Sequence, residues 1–188
     1  MIVVDIETTG MEPDRHSIVS IGAMEYENPE NRFYKECRMD EDRKIDKKSF
    51  EINGFTKKEV TDKKKPTVKE LLEDFTEWTK KIKERTIAGD NIWFDIGFLE
   101  YNFEEKGIKS PFKKEYVELH ELTPLLKEMP WSLDIVLNMV GVPPRDGTHN
   151  ALDDVELTAE AIARITTGDG LLQRFAKYPL SNRFRKKK

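Results

Sequence analysis

Asp5 and Glu7 stand two residues apart at the end of an apolar run that begins at Ile2. In an extended strand alternate side chains share a face, so both carboxylates project to the same side. Neighbouring anions repel, and the repulsion is relieved by protonating one of them or by placing a cation between them. Where further carboxylates converge, the fitting cation is one that prefers oxygen ligands, Mg²⁺ or Mn²⁺. Alone, such a pair is more often a solvent-facing turn than a site. Two later clusters change its meaning. Asp95 follows Asn91, Ile92, Trp93 and Phe94 in the first turns of a predicted helix, where the helix dipole tolerates negative charge. His149 and Asp154 bracket the start of the last long helix, and Asp154 adjoins Leu152 and Val155 of its apolar stripe. That placement turns Asp154 inward, where an unpaired charge is costly. His149 reads either as a loop or capping residue or as a base that titrates near neutrality.

The elements that must position these groups are legible in the hydrophobic pattern. Residues 2–6, 18–26 and 32–37 read as strands with short connections, which predicts an antiparallel meander. Thr67 to Glu70 is a capping box after Pro66, and Val68, Leu71, Leu72, Phe75, Trp78 and Ile82 follow at helical spacing. Residues 86–88 form a short strand candidate, 91–106 a helix, and 116–119 a fifth strand. A helix starts at Thr123 and Pro124, another runs from the cap Ser132 to about Val140, and the last covers about 151–166 before Gly168. Three strands followed by alternating helices and strands predict an α/β fold with a mixed five-stranded sheet flanked by helices.

The composition is compatible with this chemistry. In 188 residues, Lys+Arg is 32 and Asp+Glu is 36, a formal net charge of −4, so the chain is not a generally basic nucleic-acid coat. The single cysteine, Cys37, excludes an intrachain disulfide and a thiolate-rich zinc site. No apolar run approaches the ~20 residues of a membrane span. Met1 leads directly into Ile2 without a basic, cleavable leader, which sets the expectation of a cytoplasmic protein without membrane contact. One domain is expected over residues 1–180, with a basic tail at 181–188 that is a candidate for disorder.

Asp5-Ile6-Glu7-Thr8-Thr9-Gly10, then Asn91 to Phe94 and Asp95, then His149 to Ala151 and Asp154 resemble, in this order, the three motifs of the DEDD 3′→5′ exonucleases. The resemblance extends from Asp5 to about Thr166. Asn53-Gly54-Phe55-Thr56 and Trp131-Ser132-Leu133-Asp134 are similar to family segments more weakly. The tyrosine subclass carries Tyr four residues before the last Asp, a position held here by Asn150; with His149 present the chain resembles the histidine, DnaQ-like subclass. The resemblance implies a ribonuclease H-like fold, which agrees with the meander.

It also implies the chemistry. Asp5, Glu7 and Asp154 would ligate one metal ion, Asp5 would bridge to a second, and Asp95 would act mainly through water. Two ions ~3.5–4 Å apart clamp the oxygens of an in-line displacement. His149 would be the general base, and the products would be nucleoside 5′-monophosphates from single-stranded DNA or RNA 3′ ends. Met11 matches an apolar wedge near the terminal bases. Thr8 and Asn91 are candidate substrate contacts, with Asn91 either touching the backbone or capping its helix. Phe55, Phe94 and Phe98 are candidates for the base slot, the last two being equally suited to the helix core. Trp93 and Trp131 read as core, and His16 and His120 as ordinary surface or packing residues. The runs at Lys47–Lys48, 63–65 and 183–188 could guide a strand or simply be solvated. A monomer or homodimer, with possible polymerase association, is compatible with the motifs. The rival reading is a noncatalytic module that binds nucleic acid or a polymerase on the same fold.

Overall fold

The strand Ile2–Thr8 (β1) is apolar along both faces because it lies in the middle of the sheet. The computed structural model describes residues 1–145 and 147–184. After β1 come β2 (Ile18–Glu25), β3 (Arg32–Glu36), α1 (Lys47–Asn53), α2 (Lys57–Val60), α3 (Val68–Thr79), β4 (Ile87–Gly89), α4 (Ile92–Glu105), β5 (Tyr116–Glu118), α5 (Pro124–Lys127), α6 (Leu133–Val140) and α7 (Ala151–Thr167). Single 3₁₀ turns follow β5 at Leu119–Glu121 and α7 at Gln173–Phe175. The sheet has five strands in the order β3-β2-β1-β4-β5. β1, β2 and β3 form the antiparallel meander, and β4 and β5 add in parallel on the other side of β1. This is the mixed five-stranded sheet expected of a ribonuclease H-like fold. Of the basic run at the end of the chain, residues 185–188 lie outside the described residues.

Alternation along β1 divides the interior in two. Ile2, Val4 and Ile6 pack with Leu71, Leu72 and Phe75 of α3 and Phe98, Leu99 and Phe103 of α4. Val3 packs on the opposite face with Val136 and Leu137 of α6 and Val155, Ala159 and Ile162 of α7. Asp5 and Glu7 share parity with Val3, so they emerge on the α7 face. Their strand ends in a register shift between Glu7 and Thr8, a local bulge of the kind often found beside active sites.

Local chemistry accounts for the ends of the helices. The Thr67–Glu70 capping box is formed, and Thr56 and Glu59 form a second before α2. Asn150 accepts from the backbone N–H groups of Leu152 and Asp153 at the start of α7. Ser132 stands at the cap of α6 without a side-chain hydrogen bond. α7 is buried nearly all round, including Glu160 and Arg164. Arg164 donates to Glu160 at 2.7 Å and to the carbonyls of Val140, Phe175 and Tyr178, so the segment after α7 is bound back onto it.

Two aromatic expectations are corrected. Trp93 is 48% exposed and Trp131 51% exposed, so neither is core. Trp93 points outward from the first turn of α4 and rests on Tyr116, 4.0 Å between ring centroids. Trp131 precedes α6 and lies with its ring stacked on the fully buried His120, at 4.9 Å and 9°.

Candidate active site

The carboxylates converge on a cleft of about 580 Å³ at one end of the sheet. Asp5, Glu7, Asp95, His149 and Asp154 all line it, brought together from β1, α4, the loop before α7, and α7. One ligand atom each of Glu7, His149 and Asp154 lies within 4.8 Å of the others. Asp95 is held by a hydrogen bond of 2.9 Å from the backbone N–H of Ile6, between the two β1 acids.

Three positioning devices explain this convergence. The first is Glu118 at the end of β5, which is buried and accepts from the backbone N–H groups of Asn91 at 3.2 Å, Ile92 at 2.8 Å and His120 at 3.1 Å. It supplies the cap that α4 lacks from its own residue, because Asn91 is left-handed (φ 54°) and makes no capping bond. The Asn91 side chain is thereby left at the cleft. The second is Gly22, which pairs with Asp5 in the β1–β2 register. A Cβ there would collide with the backbone of Ala151 and Leu152, so glycine alone lets the start of α7 settle beside Asp5. The third is the backbone bond of 3.0 Å from His149 N–H to the Ile52 carbonyl, which ties the histidine loop to α1. The α1 residue Asn53 donates to the Thr8 carbonyl at 3.0 Å and so fixes the end of β1.

Burial and mutual repulsion dominate the electrostatics of these acids. Burial, then the charges of Asp95, Glu7 and Asp154, push Asp5 well above the usual carboxylate range. Burial and Asp154 push Glu7 up to about 8. Burial also raises Asp95 and Asp154. His149 moves the other way: burial and the nearby Arg145 guanidinium hold it below its ordinary value. The Oε1 atom of Glu7 is buried with no hydrogen-bond partner among the described residues. A buried, partnerless carboxylate oxygen beside further carboxylates fits a divalent cation with oxygen ligands.

The other expected contacts divide. Thr8, Met11, Asn91 and Phe94 line the cleft. The Thr8 hydroxyl donates to the Gly10 carbonyl at 2.6 Å, and Met11 is 64% exposed at the rim. Phe98 does not reach the cleft: it is 1% exposed and belongs to the core beneath α4, because it lies one turn after Phe94 with its face to β1. Phe55 packs in a separate cluster with Val19, Met39 and Val60, under the Lys65 ammonium. Among the cleft residues that the sequence does not announce, three stand out. Trp131 forms a wall, and Asp90 lines the cleft 3.1 Å from the buried His120 ring. Arg145 donates to Asp154 at 2.9 Å and contacts His149 Nδ1 at 3.0 Å. An arginine in a Pro-Pro-Arg loop carries no local signal of such a role.

A ribonuclease H-like sheet with acidic side chains gathered at one end defines the class: a nuclease. The exonuclease family model RNase_T matches residues 2–162, and the chain belongs to that family, as a DnaQ-like 3′→5′ exonuclease. Exonucleases of this family use divalent metal ions. The chain is 34% identical over 182 residues to the DNA polymerase III subunit epsilon of Buchnera aphidicola subsp. Baizongia pistaciae, covering 88% of this chain and 70% of that protein. It is 30% identical over 164 residues to the PolC-type DNA polymerase III of Thermotoga maritima, covering 87% of this chain and only 12% of that much longer protein. Among solved structures, the nuclease domain of 3′hExo, a DEDDh family member bound to rAMP, shares the fold with a TM-score of 0.71 at 19% identity, covering 96% of this chain and 94% of that one. No helix among the described residues is long and apolar enough to cross a membrane.

Proposed function

We propose that this chain removes nucleotides from single-stranded 3′ ends by metal-dependent hydrolysis, with Asp5, Glu7, Asp95 and Asp154 holding two Mg²⁺ or Mn²⁺ ions and His149 acting as general base. The observation that carries the reading is the meeting of Glu7, His149 and Asp154, one ligand atom of each within 4.8 Å of the others, with Glu7 Oε1 buried and without a hydrogen-bond partner among the described residues. When bound, the ions supply a positive clamp on the oxygens of the phosphate undergoing displacement. The chain's own residues do the rest. A neutral His149 with its proton on Nε2 presents the Nδ1 lone pair toward Asp154, 3.5 Å away, where it takes a proton from the attacking water. Phe94, Met11 and Trp131 line the cleft and offer apolar faces to the terminal bases. Thr8 and Asn91 present polar groups to the sugar and backbone. The products are nucleoside 5′-monophosphates.

One exonuclease domain over residues 1–180 accounts for these features. The relatives at 30% and 34% identity are DNA polymerase III proteins, which favours DNA ends over RNA ends and association with a polymerase. The test is cleavage of matched 5′-labelled DNA and RNA oligonucleotides with Mg²⁺, Mn²⁺ or EDTA. The expected result is a metal-dependent ladder shortened from the 3′ end, faster on DNA. Binding without cleavage under every metal condition would instead establish a noncatalytic module.

A further inference from the structure

Five acidic residues line the cleft, Asp5, Glu7, Asp90, Asp95 and Asp154, and among the described lining residues the single Lys or Arg is Arg145. Its guanidinium meets protein groups on both edges. Nη1 donates to Asp154 Oδ2 at 2.9 Å and lies 3.0 Å from His149 Nδ1. Nε donates to Asp134 Oδ1 at 3.1 Å, and the Arg145 backbone N–H reaches the same oxygen at 3.3 Å. The two edges of the side chain therefore have different partners. One edge is tethered to Asp134, on the first turn of α6. The other occupies the two groups that the proposed reaction needs free, a metal-ligand oxygen of Asp154 and the basic nitrogen of His149.

We propose that Arg145 is a substrate-phosphate ligand that competes with a divalent cation for Asp154 and turns to the phosphate when the cation holds that carboxylate. The inference rests on the reading above of Asp154 as a metal ligand. Each oxygen of a carboxylate has two lone pairs, but a divalent ion held by Asp154 repels a guanidinium on the same carboxylate, so the two cations compete for it. Once displaced, Nη1 has lost its acceptor, and the Asp134 tether keeps it at the cleft. The group arriving there is a phosphodiester anion, and the planar, permanently charged guanidinium fork suits phosphate oxygens. Removal of Arg145 from His149 also returns the Nδ1 lone pair to the attacking water. One side chain thus serves as a counter-charge to the acidic cluster and as an anchor for the substrate phosphate.

The experiment uses two binding probes and no turnover. Mn²⁺ affinity is measured by the electron paramagnetic resonance signal of the free ion, without nucleotide. Thymidine 5′-monophosphate affinity is measured by calorimetry at saturating Mn²⁺. Arg145→Gln should bind Mn²⁺ several-fold more tightly than the unmodified protein, because the competing cation is gone. It should bind the nucleotide about tenfold or more weakly, the scale of a lost charge-assisted hydrogen bond. Arg145→Lys, a point charge without the fork, should recover part of the nucleotide affinity. Unchanged affinity for either probe, or weaker Mn²⁺ binding by a variant whose circular dichroism is intact, overturns the proposal. Asp154→Asn separates this from failure of the underlying reading. If that variant binds Mn²⁺ as the unmodified protein does, Asp154 is not a ligand and both readings fall.

Discussion

The Oδ1 atom of Asp95 accepts a hydrogen bond from the backbone N–H of Ile6 at 2.9 Å, across 89 residues of sequence. This N–H is on the β4 edge of β1, but β4 pairs with β1 only at Ile2 and Val3. Beyond that point the edge has no strand partner, and the carboxylate takes the place of a ladder carbonyl. One bond therefore completes the sheet edge and sets Asp95 between Asp5 and Glu7. Asp95→Asn keeps an acceptor for Ile6 and removes the charge, whereas Asp95→Ala removes both. Thermal unfolding without metal should place the Asn variant at or above the unmodified protein and the Ala variant about 1–3 kcal/mol below the Asn variant. Both should lose metal-dependent cleavage.

Glu7 supplies a pH-dependent test. Its carboxyl is pushed up to about 8 by burial and by Asp154, from an ordinary 4.5. The folded state therefore holds this proton more tightly than the unfolded chain. The associated stability is fully present below about pH 4.5 and is lost as pH rises to about 8. In metal-free protein, Tm should fall from pH 5 to pH 8 more steeply for the unmodified chain than for Glu7→Gln, which has no such proton to lose. Saturating Mg²⁺ should flatten the difference. Parallel Tm profiles with and without the substitution would refute the assignment.

His149 is held below its ordinary value by burial and by Arg145. If its neutral form takes the proton from water, single-turnover cleavage should rise with pH through a midpoint below 6.5, the ordinary histidine value, and then level off. His149→Ala should lose about 10²–10⁴ in rate and this limb of the profile, while Mn²⁺ binding persists through the carboxylates. Cleavage by the variant at the unmodified rate, with the same profile, would assign the base elsewhere.

Gly22 tests positioning. A methyl group at this residue meets the backbone of Ala151 and Leu152, which cannot yield as a flexible side-chain tip would. Gly22→Ala should lift the start of α7 away from Asp5, costing about 1–3 kcal/mol of stability by overpacking. It should also weaken Mn²⁺ binding, because Asp154 lies in the first turns of α7. An alanine at Gly97 on α4, where a Cβ meets nothing within 4 Å, is the control: it should leave Mn²⁺ binding unchanged and raise stability by about 0.5–1 kcal/mol through helix propensity.

The difference between what could and could not be read in the residues follows the range of the interactions. The strands, the capping box at Thr67 and the long helices are written in local periodicity and capping, and they form within a residue or two of their expected ends, except that α3 stops at Thr79, three residues before Ile82, the last residue at helical spacing. The short helices α1 and α2 escaped notice although their caps, Asp46 and the Thr56–Glu59 box, are present, because so few residues carry little periodic signal. The aromatic side chains were least legible. Phe94 and Phe98 are one turn apart on α4, yet one faces the cleft and the other the core. Trp131 looks like core by composition and is a cleft wall because buried His120 lies beneath it.

For the site, types and order were in the sequence. Asp5 and Glu7 share a strand face, Asp95 opens a helix, and His149 and Asp154 flank another helix start, which with the family pattern marked the acidic centre. What only the folded chain decided is how those groups are brought together and held. The Glu118 cap on α4, the close approach over Gly22, the Asp95–Ile6 bond and the Arg145 contacts leave no periodic trace. Three of these link residues distant in sequence, and Arg145 joins Asp154 through a loop without a regular repeat. Each is a single buried contact chosen by the packing of separate elements, whereas periodicity records only which face of one element avoids water.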